Sequence, residues 1–128
     1  MINELSKEVH ANAKAKGFFD DEKNIGEMLC LIHSETSEAL ECDRKNKYYE
    51  LPIIKGGLNV KEAIKEDSDS WYKTYFENAV KDTFEDELAD IMIRVMDLAA
   101  FKGVDLETHI KAKMRYNSLR PHKHGKKY

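Results

Sequence analysis

The sequence lacks several patterns that define large classes of protein. Residues 1–17 contain no apolar run, so we expect no signal peptide, no transmembrane segment and a cytoplasmic location. Cysteine occurs only at Cys30 and Cys42, without a CxxC or a mixed Cys/His metal spacing. On one helix these thiols would lie ~18 Å apart along the axis, too far for a disulfide, so we expect both to be reduced.

Two kinds of phosphate and metal site are excluded in the same way. Gly56 and Gly57 are not part of a GxxxxGK[ST] phosphate loop. No glutamate is followed by histidine three residues later, as a di-iron carboxylate bundle requires.

The formal net charge of −3 does not favour bulk nucleic-acid binding, and we expect none. With 9% aromatic and 35% charged residues, the chain predicts one domain, 1–128, with a limited core.

Helical periodicity dominates the first third of the chain. Residues from about 3 to 16 predict a first helix with a thin apolar stripe, and Gly17 fits its end. Asn24 is positioned to cap a second helix, with Glu27 as the capping-box partner three residues later. The thin stripe of the first helix, together with the apolar group at residues 51–54, predicts that a partner subunit completes the burial.

The second helix carries an acid pair, Glu35 and Glu38, within LCLIHSETSEALE, residues 29–41. Residues three apart lie on one face of a helix, about 5–6 Å apart at Cβ. At 100° per residue, Glu35 falls inside the apolar arc and Glu38 at its edge. A carboxylate in that position is costly without a partner.

A third helix is predicted from about Trp71 to Phe101, and it carries a second pair, Glu87 and Asp90. Four converging carboxylates repel one another unless a cation lies between them, and oxygen ligands of this kind hold Mg²⁺. Arg94 has two interpretations of equal weight: a salt bridge to Asp90 one turn earlier, or a contact with phosphate. Asp97 continues the acid stripe as a weaker candidate ligand.

The last helix is predicted to begin after a cap at Asp105 and to place a polar row, Lys113, Asn117 and Arg120, on one face. A row of this composition is typical of anion binding, although a helix end that protrudes into solvent gives the same pattern. A basic tail, about 121–128, follows. Between the second and third main helices, an irregular connection spans about 44–70. Within it, Asn59 with Glu62 as its capping-box partner predicts a short helix over Val60 to Glu66, and residues 68–70 predict a cap for the next helix.

These motifs together resemble the MazG-like all-α nucleoside triphosphate pyrophosphohydrolase superfamily. The resemblance rests on LIHSETSEALE and DELADIMIRVMDL, which match an ExxE followed by an ExxD. It extends to NAKAKGFFDDEKNIGE before the first motif and to the ending KMRYNSLRPHKHGKKY. Two features depart from the family pattern: Ser34 stands where an acid often precedes the first motif glutamate, and the two motifs are further apart than usual. Both departures bear on substrate choice.

The resemblance implies a four-helix bundle, a homodimer or homotetramer, and hydrolysis of a nucleoside triphosphate to a monophosphate and pyrophosphate. It implies Mg²⁺ as cofactor, with Mn²⁺ as a substitute, held by Glu35, Glu38, Glu87 and Asp90. Lys113, Asn117 and Arg120 would face the phosphates, and nucleotide-pool house-cleaning is the implied role. Our hypothesis is that one of these four acids, Glu38, orients or deprotonates the attacking water. Two alternatives stay open: a phosphoribosyl-ATP pyrophosphohydrolase, and a non-catalytic helical interaction module whose acid pairs form a solvated face.

Overall fold

The structure, a computed structural model, describes residues 1–50 and 58–128, and these residues are helical without any β-strand. The α-helices in chain order are α1 (Ile2–Ala15), α2 (Ile25–Arg44), α3 (Val60–Ala63), α4 (Asp69–Ala79), α5 (Phe84–Phe101) and α6 (Leu106–Ser118). A short 3₁₀ turn, His122–Gly125, lies in the basic tail. The predicted all-α class is therefore confirmed. Among the described helices, none has both the length and the apolar character needed to cross a membrane.

Local capping explains where most of these helices begin and end. The Asn24 side chain accepts from the Glu27 N–H (3.2 Å), and the Asp105 side chain accepts from the Thr108 N–H (3.1 Å), as predicted. The predicted capping box of Asn59 with Glu62 is present at α3. Gly17 and Gly103 follow α1 and α5 with φ of 85° and 66°, a conformation in which a side chain is strained.

The prediction of one helix from Trp71 to Phe101 is wrong, because the chain breaks between α4 and α5. Val80 is the C-cap of α4, and Asp82 adopts a positive φ of 60°. Thr83 Oγ1 then accepts from the Asp86 N–H (3.3 Å), which caps the new helix. The break contains neither glycine nor proline, so its sequence signal is only the Thr83-x-x-Asp86 spacing.

The chain forms two compact units, residues 1–28 with 93–128 and residues 29–92. In the first unit, α1 and α6 have adjacent N-terminal ends: the N-terminal ammonium lies 3.0 Å from Glu107 Oε2, and Asn3 Nδ2 donates to Asp105 Oδ1 (2.6 Å). His10 Nδ1 lies 2.7 Å from Asp97 Oδ1. The Phe19 ring packs edge-on against His10, whereas Phe18 is exposed.

In the second unit, the end of α2 meets the start of α5. The Cys42 thiol donates to the Asp82 carbonyl (3.4 Å), and the Phe84 N–H donates to the Lys47 carbonyl (2.8 Å). Cys42 is buried, which raises the pKa of its thiol, and Cys30 is exposed; both are free, as predicted. These contacts bring the acid pair of α2 alongside the first turns of α5. The predicted apolar group at residues 51–54 lies outside the described residues.

Few apolar side chains are buried in the described part of the chain. The buried apolar residues are small or medium in size: Ala39, Cys42, Ala63, Val80, Met96 and Ala99. No large side chain among the described residues is less than 2% exposed. Burial of apolar area is the main source of folding free energy, so this short inventory gives the chain a thin core.

Candidate metal centre

The centre is built by two helices whose acidic residues share one side. α2 carries Glu35 and Glu38 on one face because they are three residues apart, and α5 carries Glu87 one turn after its N-terminal cap. One carboxylate oxygen from each of the three residues lies within 4.8 Å of the other two. The structure therefore brings together three of the four predicted metal ligands within residues 29–92.

Burial separates the three carboxylates into two kinds. Glu35 and Glu87 are each 6% exposed, whereas Glu38 is exposed. This agrees with the helical projection, which places Glu35 in the apolar arc of α2 and Glu38 at its margin. Glu38 is consequently the member of the group that water reaches most easily.

Electrostatics make Glu87 the most perturbed carboxyl of the centre. Its burial is the largest cause of a rise in pKa, from 4.5 to about 7, because a charged carboxylate is poorly solvated there. The negative charges of Glu38, Asp86, Asp90 and Glu35 raise its pKa further, in that order. Near neutral pH, Glu87 is thus held close to the point at which it gains or loses its proton. The positive charge of a bound cation would offset both effects, lower the pKa of Glu87 and favour its carboxylate form.

Asp90, the fourth predicted ligand, is half-buried on α5 and is not a member of the group of three. Its charge nevertheless contributes to the raised pKa of Glu87, so it belongs to the same electrostatic environment. Asp90 lies one turn from Glu87 on the same helix face, as the ExxD spacing predicts. Its role as a ligand stays a prediction.

Sequence reasoning missed a neighbouring acidic group that shares Glu87. Oxygens of Asp82, Asp86 and Glu87 also lie within 4.8 Å of one another. Asp86 Oδ2 accepts from the Asp82 N–H (2.9 Å), and Asp82 is exposed. The cap of α5 therefore accounts for the placement of Asp86. In the sequence, this group was indicated only by the spacing of Asp82 and Asp86, five residues and one residue before Glu87.

The donor set of the central group suits a hard divalent cation. All three donors are carboxylate oxygens, and Mg²⁺ or Ca²⁺ binds such oxygens at about 2.0–2.6 Å. Two ligands of one such cation therefore lie no more than about 4–5 Å apart, and the three oxygens of the group all lie within 4.8 Å of one another. Neither cysteine nor histidine belongs to the group, so its chemistry does not favour zinc.

The predicted phosphate-binding row lies on and just after α6, in the unit formed by residues 1–28 and 93–128. Lys113 Nζ and the Arg120 guanidinium carbon lie 5.0 and 5.6 Å from the centroid of the Tyr116 ring, so both side chains are within cation–π distance of that ring. Arg120 Nη2 also donates to the His124 carbonyl (3.4 Å). The Asn117 Oδ1 atom is buried and accepts no hydrogen bond from the described residues.

Two further predicted site residues lie on α5, Asp97 and Arg94. Asp97, the weaker ligand candidate, is engaged by His10 in the first unit. Arg94 is half-buried on α5, and both of its predicted roles stay open.

No family model matches the chain, and neither a curated protein nor a solved structure is significantly similar to it. The site therefore has to be interpreted from its own residues.

Proposed function

We propose that the protein is a Mg²⁺-dependent nucleoside triphosphate pyrophosphohydrolase of the MazG-like type, and that it converts an NTP or dNTP to a monophosphate and pyrophosphate. The observation that carries this proposal is the convergence of Glu35, Glu38 and Glu87 within 4.8 Å, with two of them buried. Three carboxylates at this distance repel one another, which makes the group unfavourable without a cation. The sequence resemblance supplies the reaction class.

Glu35 and Glu87 would hold the cation from the buried side, with Glu38 completing the group and Asp90 adjacent. Bound Mg²⁺ would neutralise phosphate charge and acidify a water ligand. Glu38 is the exposed member and would accept the proton of the attacking water. The water oxygen forms a bond to the α-phosphorus, the bond from that phosphorus to the bridging oxygen breaks, and pyrophosphate leaves with the bonding electrons.

Lys113, Asn117 and Arg120, together with Arg94, would face the phosphates of the substrate. Arginine and lysine stabilise phosphate oxygens by charge-assisted hydrogen bonds. The proposed enzyme is a four-helix bundle that acts as a homodimer or homotetramer in nucleotide-pool house-cleaning. Its substrate is a nucleoside triphosphate, and neither a membrane nor a nucleic acid is expected as a partner.

A substrate screen tests the proposal. The protein is incubated with a panel of ordinary and modified nucleoside triphosphates and Mg²⁺, and pyrophosphate release is measured. We expect release with at least one substrate and its loss in Glu38→Gln. Glu41→Gln is the matched control, because Glu41 is exposed like Glu38 and lies one turn from it, but it pairs with Lys45 (3.2 Å) and is not a member of the carboxylate group.

Cation binding provides the second readout. We expect Mg²⁺ to raise the midpoint of thermal unfolding, because a ligand that binds only the folded state stabilises it. No turnover on any substrate, together with no effect of Mg²⁺ on unfolding, would favour the alternative of a non-catalytic interaction module. Turnover confined to phosphoribosyl-ATP would favour the alternative pyrophosphohydrolase.

A further inference from the structure

The end of α2 and the start of α5 are held together by contacts next to the carboxylate group. The Cys42 thiol donates to the Asp82 carbonyl (3.4 Å), two residues before α5 begins. Lys47 links both helices through its own backbone: its N–H donates to the Cys42 carbonyl (2.8 Å), and its carbonyl accepts from the Phe84 N–H (2.8 Å). We call the contacts between residues 42–49 and residues 82–85 the α2–α5 joint.

The backbone at the end of α2 fixes the direction of the joint. Asn46 adopts a positive φ of 55°, and its N–H donates to the Asp43 carbonyl (3.0 Å). Together with the bond from Lys47 to Cys42, this is the Schellman pattern that ends a helix. Phe84 is the first residue of α5, so its N–H has no partner within the helix, and the Lys47 carbonyl supplies one. The joint therefore satisfies backbone groups at the ends of both helices.

The joint lies one helical turn from the carboxylate group on each helix. On α2, Glu35, Glu38 and Cys42 follow at spacings of three and four residues, so they share one face. On α5, Glu87 lies three residues, or about one turn, after Phe84. Burial raises the pKa of the Cys42 thiol, and the charge of Glu87 raises it further, so the thiol keeps its proton and remains a donor. A shift at the joint would consequently move Glu87 relative to Glu35 and Glu38.

Divalent cations differ in how strictly they require a given spacing of their ligands. Mg²⁺ needs oxygens at about 2.0–2.1 Å in near-ideal octahedral geometry, whereas Ca²⁺ accepts about 2.3–2.6 Å and a variable number of ligands. The oxygens of Glu35, Glu38 and Glu87 lie within 4.8 Å of one another, a separation that either cation can span. The donor set alone therefore does not select between the two cations, and the precision with which α2 and α5 are held does.

We propose that Cys42 is a positioning residue: through the α2–α5 joint it holds Glu87 at the distance from Glu35 and Glu38 that Mg²⁺ requires and Ca²⁺ does not. This role rests on the cation binding of the proposed function, not on the hydrolysis of a nucleotide. Cys42 is not a member of the carboxylate group, so it acts through Glu87. Loss of its hydrogen bond should therefore weaken Mg²⁺ binding more than Ca²⁺ binding.

Isothermal titration calorimetry with Mg²⁺ and with Ca²⁺, without nucleotide, tests the proposal. Cys42→Ala removes the donor, and we expect it to weaken Mg²⁺ binding about 10-fold, the lower end of the effect of residues that orient metal ligands. Ca²⁺ binding should weaken by no more than about 3-fold, because its geometry is flexible. Cys42→Ser keeps a donor and should restore the wild-type ratio of the two dissociation constants. Cys30→Ala is the matched control, because Cys30 is the exposed cysteine of the same helix.

An unchanged ratio of the two dissociation constants in Cys42→Ala would overturn the proposal, and so would a wild type that binds neither cation. A substrate screen separates this result from the proposed reaction. Nucleotide turnover with an unchanged ratio leaves the reaction standing and refutes the positioning role. A changed ratio without turnover on any nucleotide supports the positioning role and refutes the reaction.

A second pair of variants decides if circular dichroism shows that Cys42→Ala does not fold. Glu85 Oε2 accepts from the Tyr49 N–H (2.7 Å) at the exposed side of the joint. Glu85→Ala and Glu85→Gln remove the same charge, but only glutamine keeps an acceptor for that N–H. A larger loss of Mg²⁺ preference in Glu85→Ala than in Glu85→Gln supports the role of the joint, and equal losses contradict it.

Discussion

Replacement of Glu87 by glutamine tests the electrostatics of the centre directly. Glutamine keeps the shape of the protonated side chain and removes its charge. Glu87 is buried beside Glu38, Asp86, Asp90 and Glu35, and its pKa rises from 4.5 to about 7. Without a divalent cation, we therefore expect Glu87→Gln to be more stable than the wild type at alkaline pH, although the change removes a predicted metal ligand.

The size and sign of this effect follow from proton linkage. Below pH 4.5 the carboxyl is protonated in both the folded and the unfolded chain, so the two proteins differ little. Between pH 4.5 and about 7 the unfolded chain loses the proton first, so rising pH favours unfolding. Above about pH 7 the wild type has lost up to about 3 kcal/mol through this one group. For a chain of this length that corresponds to about 10 °C in the unfolding midpoint.

Urea unfolding in EDTA, measured at several pH values between about 4 and 8, provides the assay. Glu66→Gln is the matched control, because Glu66 is an exposed residue of the same unit. Mg²⁺ at a concentration 1,000-fold above its dissociation constant should reverse the order of stability, since the wild type then gains about 4.1 kcal/mol. Two results would refute the reasoning. One is a Glu87→Gln variant that is less stable than the wild type at pH 8 in EDTA. The other is a difference in unfolding free energy between the two proteins that is the same at every pH.

Three further predictions concern the fold. Met96→Ala should lower the unfolding free energy by about 3 kcal/mol, because Met96 is buried. Met114→Ala should change it by no more than about 0.5 kcal/mol, because Met114 is exposed. Equal losses of the two variants in urea unfolding would contradict the assigned core. Thr83→Ala should lower the unfolding free energy by about 1 kcal/mol, because it removes the cap of α5. Thr36→Ala, inside α2, should lower it by less. Thermal melts in which Thr36→Ala is the more destabilised variant would contradict the cap. Hydrogen bonds from Asn3 and from Thr108 lower the pKa of Asp105 from 3.8 to about 2. Asp105→Asn should therefore lower the unfolding free energy above pH 3.8, and this difference from the wild type should disappear as pH falls through about 2. A difference that stays constant during acid unfolding would argue against those bonds.

The features that the sequence predicts correctly depend on neighbouring residues. The caps at Asn24, Asn59 and Asp105 and the glycine that follows α5 each involve residues within one helical turn. The short helix after Asn59 was predictable for the same reason, because a capping box is encoded within four residues. The acid pairs on α2 and α5 also follow from spacing alone, since three residues return a side chain to the same face.

The features that sequence reasoning missed depend on residues far apart in the chain. The break before Phe84 is stabilised by contacts with the end of α2, from Cys42 to Asp82 and from Lys47 to Phe84. Helical propensity around residues 80–83 carries no strong stop signal, so tertiary contacts decide there. The pairing of Asp97 with His10 likewise joins residues 87 positions apart, which a periodicity argument does not reach.

Hydrophobic patterning identified the helical segments, but it joined α4 and α5 into one helix and did not show which side of α5 is buried. Leu88 and Met92 follow the apolar period of α5, yet both are exposed, whereas the acidic Glu87 is buried. Periodicity identifies two faces of a helix without stating which neighbour covers each one.

Product analysis by ³¹P NMR in water enriched in ¹⁸O tests the central claim most directly. With Mg²⁺ and the substrate found in the screen, the account predicts a monophosphate and pyrophosphate, with the ¹⁸O label in the monophosphate because water attacks the α-phosphorus. Glu38→Gln should abolish the signals of both products, and Glu41→Gln should leave them unchanged. Release of orthophosphate with a diphosphate, or label in the pyrophosphate, would contradict the proposed reaction.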